Sequence, residues 1–284
     1  MLGGSGFIGL LVVQALKASS VEVLSLSSRQ LDLCSIHAPR LLDKVLRPDD
    51  HLLFLSAVTP DKGRDLATFR KNLLMAEHVC EFLATSGCAH VTYVSSDAVY
   101  RDPAHSITEE ALPSPLELYG VAHFARERIL SIACEQFSIP LLIIRPVAVY
   151  GALDTHNSYG PNRFVRQALT EKRIELFGEG EELRDHLWGD DLADIILALI
   201  KRHSTGVVNA ATGLSVSFAQ VAEEICRLLP HTEVVEIPRQ RRITNRTFNT
   251  RSLRLALPSL EFTPLGVGLH RMHQLLLSSQ GSIS

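Results

Sequence analysis

The chain has 284 residues, 46% of them hydrophobic, enough to bury one large or two modest cores. Its 28 Lys and Arg against 31 Asp and Glu leave a net charge of -3, which offers no global attraction for nucleic acid or an anionic membrane. The five cysteines, Cys34, Cys80, Cys88, Cys134 and Cys226, are odd in number and nowhere spaced as CxxC, which excludes a zinc cage and points to a reducing, cytoplasmic compartment.

The first element is the turn GGSGFIG at 3–9, with Gly3, Gly6 and Gly9 recurring every third residue. The following FIGLLVVQAL is apolar enough to be a helix packed on a sheet. Glycine admits backbone angles closed to other residues, and the first N–H groups of a helix lack internal partners. A diphosphate suits such a place, because its charge meets the positive end of the helix dipole and its oxygens accept those hydrogen bonds. Taken alone, the segment also reads as an ordinary glycine turn before a core helix. The apolar run from Phe7 to Leu16 has no basic leader, ends at Lys17 and is too short to cross a bilayer, so neither a signal peptide nor an anchor is expected.

Further along, VEVLSLSS (21–28), HLLFLSA (51–57), HVTYVSS (90–96) and PLLIIRPV (140–147) read as parallel strands buried on both faces. Between them, Leu66, Phe69, Leu73, Ala76, Val79 and Leu83 recur at helical spacing up to a cap at Gly87, and a second helix is expected over 116–137. Strand and helix in alternation predict an α/β doubly wound parallel sheet of the Rossmann type, with ligands at the carboxyl ends of its strands. The texture changes after Gly151, so a dinucleotide-binding region over 1–150 and a smaller, mainly substrate-binding region over 151–284 are expected, some segments of the latter returning to the sheet. In that second region the sequence predicts a helix in DLADIILALIKRH, a strand in GVVNAA, a capping box at Ser217 and Gln220, a strand at 233–238 and the arginine-dense PRQRRITNR.

The elements SSDAVY (95–100) and LYGVAHFARE (118–127) carry the most informative chemistry. With them the chain resembles the extended short-chain dehydrogenase/reductase superfamily, in its NAD-dependent epimerase/dehydratase branch acting on nucleotide sugars. The resemblance covers nearly the whole chain, with landmarks in family order: GGxGFIG at Gly3 to Gly9, Asp32-Leu33, Ser56-Ala57, Asn72, Ser95 to Tyr100, Tyr119, RPVAVYG at 145–151 and GEGEELRDHLWGDDLA at 178–193.

It implies hydride-transfer chemistry, in which Tyr119 exchanges a proton with a sugar hydroxyl and Ser96 shares the hydrogen bond to the reacting oxygen. Free tyrosine ionises near pH ~10, so it needs positive charge nearby to act as a base. In the family a lysine four residues on supplies that charge; here the position is His123, shorter and mostly neutral at pH ~7. Asp97 falls where the 4,6-dehydratases of the family carry an acid, but Ala98 stands where they carry Glu, which disfavours dehydration.

The family's cofactor contacts fall on Gly3, Gly6, Phe7, Ile8, Gly9, Asp32, Leu33, Ser56, Ala57, Asn72, Tyr119, His123 and Pro146. At the end of the second expected strand stand Ser27, Ser28 and Arg29, hydroxyls and a guanidinium where an acidic residue would select NAD, so NADP is favoured over NAD. The substrate implied is a nucleoside diphosphate sugar, with Arg184 and Arg239 near the family's diphosphate-contacting arginines. Ala148 replaces an Asn that the family often uses there. Family members have about six apolar residues before the glycine turn and this chain has two, so its first strand is expected to be truncated and its start to lie inside a longer reading frame. The expected activity is that of a nucleotide-sugar 4-epimerase or 4-ketoreductase. The alternatives are a dehydratase working through Asp97, and a non-catalytic dinucleotide or sugar-nucleotide sensor. By analogy a homodimer is expected, packed through the helices of 65–86 and 116–137; no metal is.

Overall fold

The computed structural model describes residues 1–101, 105–239 and 242–281, so Gln240 and Arg241 of the arginine-dense segment lie outside the described residues. Helices α1 (Phe7–Ala18) and α2 (Ala38–Val45) precede β1 (His51–Phe54), α3 (Leu66–Thr85) and β2 (His90–Val94). A single 3-10 turn (Asp97–Val99) leads to α4 (Leu118–Gln136) and β3 (Leu141–Pro146). The second half contains β4 (Ala148–Tyr150), α5 (Pro161–Thr170), β5 (Arg173–Phe177), β6 (Leu183–Trp188), α6 (Gly189–Lys201), β7 (Gly206–Ala210) and β8 (Ser215–Ser217). It closes with α7 (Phe218–Leu228), β9 (Glu233–Ile237), α8 (Arg251–Ala256) and α9 (Leu265–Gly281).

Strands β1, β2, β3 and β7 form one parallel sheet in that order. Successive side chains of a strand point to opposite faces, and both faces are apolar here, as the continuous hydrophobic runs predict. Leu53, Val94, Leu142 and Ile144 pack with Val12 and Leu16 of α1 and Ile196 and Leu199 of α6. Leu52, Phe54, Tyr93 and Ile143 pack with Leu42 of α2, Val79 and Phe82 of α3 and Leu130 of α4. Helices on both faces make the sheet doubly wound, with the strand ends left as the place for a site.

The helix termini follow the capping rules. Asp65 accepts a hydrogen bond from the Thr68 N–H at 2.8 Å to open α3, and Gly87, at φ +66°, follows its end. Both arms of the Ser217–Gln220 capping box are present, at 3.1 and 2.8 Å, and the box opens α7.

Residues 21–28 depart from the expected strand. They form one bridge, Leu26 to Leu2, while Leu2 bridges Phe54 on its other side. The ladder is limited to the Met1–Gly3 backbone: the Leu26 N–H donates to Met1 O at 2.9 Å, the Gly3 N–H to Leu26 O at 3.2 Å and the Leu2 N–H to Leu53 O at 2.9 Å. A strand needs a partner along its length, and here the partner backbone spans a single rung. The second half adds a three-stranded sheet, β4-β6-β8, and a parallel pair, β5-β9. Around them Phe164, Leu176, Trp188, Phe218 and Met272 form a third apolar cluster.

Candidate functional site

Two glycines make the opening turn close. At Gly3 the backbone is at φ +93°, and an added Cβ would sit 2.8 Å from the Ser56 nitrogen; at Gly9 it would sit 2.2 Å from the Gly3 oxygen. Gly6 differs. It caps α1 in an extended conformation (φ -78°), no side chain caps the helix, and an added Cβ would meet only the Gly3 oxygen, at 3.6 Å. The N–H groups of the first turn, at Phe7, Ile8 and Gly9, thus begin a helix that no side chain caps, which fits a dinucleotide's pyrophosphate. Phe7 turns the other way: a Cβ at Gly151 or at Gly189 would lie 3.0 Å from its ring.

These contacts separate two substitutions. Gly6→Ala should leave the melting temperature in place and weaken NAD binding by about tenfold or more, a loss of ~1.4 kcal/mol. Gly9→Ala should lower both, because its Cβ collides with main chain. A thermal-shift titration with NAD reads both effects, and full NAD affinity in Gly6→Ala would contradict this use of the turn.

The second half of the site is where α4 begins. Gly120 lets that helix approach the 3-10 turn, since a Cβ there would lie 2.1 Å from Ala98 O. Tyr119 is thereby brought near Ser96, whose side chain acts on the phenol. Burial pushes the Tyr119 phenol up to about 12, opposed by the Arg126 charge and the Ser96 hydrogen bond and reinforced by Asp97 and Asp61. A cavity of about 310 Å³ opens beside Tyr119, walled by Val58, Phe69, Asn72 and Leu118 among others. Ser96 also accepts from the Ala98 N–H at 3.1 Å.

His123 lies one turn beyond, its ring edge-on to Tyr119 with centroids 4.5 Å apart. It is 3% exposed, its Nδ1 is 2.6 Å from the Tyr93 hydroxyl, and its Nε2 has no hydrogen-bond partner among the described residues. Burial, and then the Arg126 charge, hold its pKa well below the ordinary imidazole value. His123 is thus neutral at physiological pH and does not supply the cation that a tyrosine base requires. Asp97 is committed elsewhere: its Oδ2 is 3.1 Å from Arg246 Nη1, and Arg246 also donates to Tyr100 O at 3.2 Å.

Sequence reading missed a buried network under this centre. Arg145 at the end of β3 binds Glu127 of α4 with two hydrogen bonds, 2.9 and 2.6 Å, and donates to the Tyr100 hydroxyl at 2.6 Å. Glu127 accepts from Ser95 at 2.5 Å, and Tyr100 donates to Asn209 of β7 at 2.9 Å. The signal was present as an arginine inside the apolar run IIRPV, since a buried charge needs a partner.

The remaining candidates divide by position. Asn72 is buried and clamps the loop after β1, donating to Val58 O at 3.0 Å and accepting from the Val58 N–H at 2.8 Å. Ser56 gives its carbonyl to Arg126 at 2.6 Å, Ala57 follows it, and Pro146 is the last residue of β3. Both the N–H and the hydroxyl of Ser27 donate to Gln30 Oε1, while Ser28 and Arg29 are exposed. Asp32 accepts from the Cys34 N–H at 2.9 Å, and Leu33 is buried, its carbonyl held by His78. Arg184 on β6 donates to Leu183 O and Thr244 O and lies over the Phe218 ring. Arg239 is not gathered into the centre by any contact: its guanidinium is held by Glu181, Glu182 and Phe177 O. Arg246, from the same segment, reaches the 3-10 turn at Asp97 and Tyr100.

A sequence profile described as "NAD dependent epimerase/dehydratase family" matches residues 1–211. Among curated relatives, the GDP-L-fucose synthase of Sinorhizobium fredii is 24% identical over 80% of this chain and 78% of its own length. The dTDP-D-glucose 4,6-dehydratase of Homo sapiens is 27% identical over 72% of this chain, which spans 59% of that relative. Among solved structures, MoeE5 in complex with UDP-glucuronic acid and NAD superposes with a TM-score of 0.87 at 23% identity, covering 98% of both chains. The UDP-glucuronic acid 4-epimerase from Bacillus cereus, in complex with UDP-glucuronic acid and NAD, gives 0.84 at 20% identity, again over 98% of both. At these identities the structural likeness is one of fold.

Proposed function

Starting from the fact that this chain belongs to the NAD dependent epimerase/dehydratase family, we propose that it is an NAD(P)-dependent 4-epimerase or 4-ketoreductase of a nucleoside diphosphate sugar. The observation that carries the reading is the approach of Tyr119 to Ser96 beside a cavity that Val58 and Asn72 of the post-β1 segment also line, in a chain whose glycine turn opens an uncapped helix. Gly3, Gly6 and Gly9 with the first turn of α1 would hold the pyrophosphate, and Ser56, Ala57 and Asn72 would flank the nicotinamide side. When bound, the nicotinamide accepts a hydride from the sugar carbon and can return it. Tyr119 takes the proton of the hydroxyl on that carbon as the carbonyl forms, and gives it back when the carbonyl is reduced. Ser96 donates to the same oxygen and stabilises the charge that develops on it.

Dehydration is the weaker reading, because Asp97 is engaged with Arg246 and Ala98 brings no second acid. Residues 25–29, SLSSR, offer no carboxylate to accept ribose hydroxyls, which favours NADP; the NAD held by the solved neighbours favours the other choice. Arg184 and Arg246 are proposed for the sugar's diphosphate.

Incubation with NAD or NADP and a panel of UDP, dTDP, GDP and CDP hexoses, with the products resolved by NMR and mass spectrometry, tests the assignment. Epimerised sugar without net cofactor change identifies an epimerase, and a ketosugar interconverted with net cofactor turnover a ketoreductase. Loss of water, or no conversion of any sugar, would overturn it.

A further inference from the structure

Among the described residues Arg126 is a fully buried charge with no counter-ion. It is 0% exposed, one of its nitrogens donates to Ser56 O at 2.6 Å, and Nε and Nη1 have no partner among the described residues. Its guanidinium lies over the Phe54 ring at 4.5 Å and the Tyr93 ring at 4.9 Å. The titratable groups around it are Tyr93, Tyr119, Cys34 and His123, none of them a carboxylate. The nearby carboxylate on the same helix, Glu127, is bound to Arg145. A buried cation left unpaired is expensive, and where one persists a function is the first thing to look for.

Its place on α4 supplies that function. Tyr119, His123 and Arg126 stand at i, i+4 and i+7, one face of the helix, so a long side chain at 126 reaches back over the turn where a neutral imidazole sits. We propose that Arg126 is the positioning residue that supplies the cation for Tyr119, doing from one turn further along the helix what a lysine at position 123 would do, and that its unpaired N–H groups anchor the bound dinucleotide. This rests on the proposed function and deepens it. The groups facing Tyr119 are Arg126 and His123 from α4, Ser96 and Asp97 from the 3-10 turn, Asp61 from the loop after β1, and Tyr93 from β2. Arg126 is the cation that acts on the phenol, opposing the carboxylates of Asp97 and Asp61, while Arg64, Asp65 and Glu117 line the cavity beside it. Two aromatic faces and the Ser56 carbonyl fix the guanidinium at the carboxyl end of β1, against the glycine turn that Ser56 abuts.

The test compares wild type with Arg126→Met, Arg126→Lys and the double variant His123→Lys/Arg126→Met. The protein is grown with fluorotyrosine, whose phenol ionises at lower pH; with 5 tyrosines in the chain, the Tyr119→Phe variant identifies the Tyr119 resonance. Without any cofactor, Arg126→Met should move the Tyr119 ionisation upward by about one pH unit, a tenfold fall in the ionised fraction. Calorimetry should show NAD binding about tenfold weaker in the same variant. Arg126→Lys should retain part of both effects, and the double variant should restore the ionisation. His123→Lys alone places a second cation beside the first and should lower the melting temperature.

If Arg126→Met changes only the melting temperature, leaving ionisation and NAD affinity alone, Arg126 is structural and the proposal fails. Should Arg126→Met not fold, the rescue by His123→Lys/Arg126→Met decides: a folded double variant with unshifted ionisation supports the proposal, and a folded one still shifted defeats it. Absence of turnover on every sugar would remove the proposed function while leaving the ionisation and calorimetric results to decide the role of Arg126.

Discussion

Tyr119→Phe should lower kcat on the preferred nucleotide sugar by about a thousandfold, the middle of the range for removing a general acid–base. The fold should not suffer. The ring keeps its edge-on contact with His123, and the lost hydroxyl is one that faces Ser96. Melting temperature and NAD affinity should therefore stay close to wild type, which separates a chemical defect from a structural one. The pH dependence has a definite sign. With its phenol pushed up to about 12, Tyr119 carries its proton at neutral pH. The protonated form is ready to donate when a carbonyl is reduced, so that direction should be nearly flat from pH ~6 to ~8. The opposite direction uses the phenolate, whose fraction rises tenfold for each pH unit below the midpoint, so oxidation should speed up as pH rises. In Tyr119→Phe that rise should vanish. Turnover within tenfold of wild type in the variant, with the pH slope intact, would assign the proton transfer to another group.

Breaking the Glu127–Arg145 pair should have the largest effect on stability. Both side chains are buried, and Arg145 also serves Tyr100 while Glu127 also serves Ser95. Arg145→Met leaves a carboxylate in the core without a counter-charge, and such a loss amounts to about 3–5 kcal/mol. The double variant Glu127→Gln/Arg145→Met removes both charges and should recover much of that loss, because the two changes share one interaction. Urea unfolding of the singles and the double measures the coupling. A single substitution costing under about 1 kcal/mol, as for an exposed pair, would show that the network is hydrated rather than buried. Ser95 sits next to Ser96, so the same variant should also lose turnover by displacing the end of β2.

The buried strands, the long helices and the Ser217 capping box were legible because each is encoded within a dozen residues: a run of Val, Ile and Leu, a helical period, a hydroxyl three residues before Gln220. The gathering of Ser96, Asp97 and Tyr119 was legible through family order. What stayed hidden depends on distant pairing. Residues 21–28 have the composition of a strand, but a ladder also needs an opposite backbone, and here one rung is present. Nothing local in FARE distinguishes an arginine on the solvent side of a helix from one enclosed by Phe54 and Tyr93. Likewise Asp97 and Arg246 are far apart in the chain, and Arg239 resembles Arg246 in sequence until Glu181 and Glu182 are seen to occupy it.

The ring of Phe7 has a mechanical consequence. It rests on bare backbone at Gly151 and Gly189, the first closing the RPVAVYG segment and the second at the start of α6. A clamshell swing of the later half away from the opening helix would have to pull this peg out of its two sockets and wet an aromatic face. Substrate admission should accordingly proceed by excursions of surface segments around a rigid axle, and filling either socket with alanine would loosen the axle without touching a single polar group.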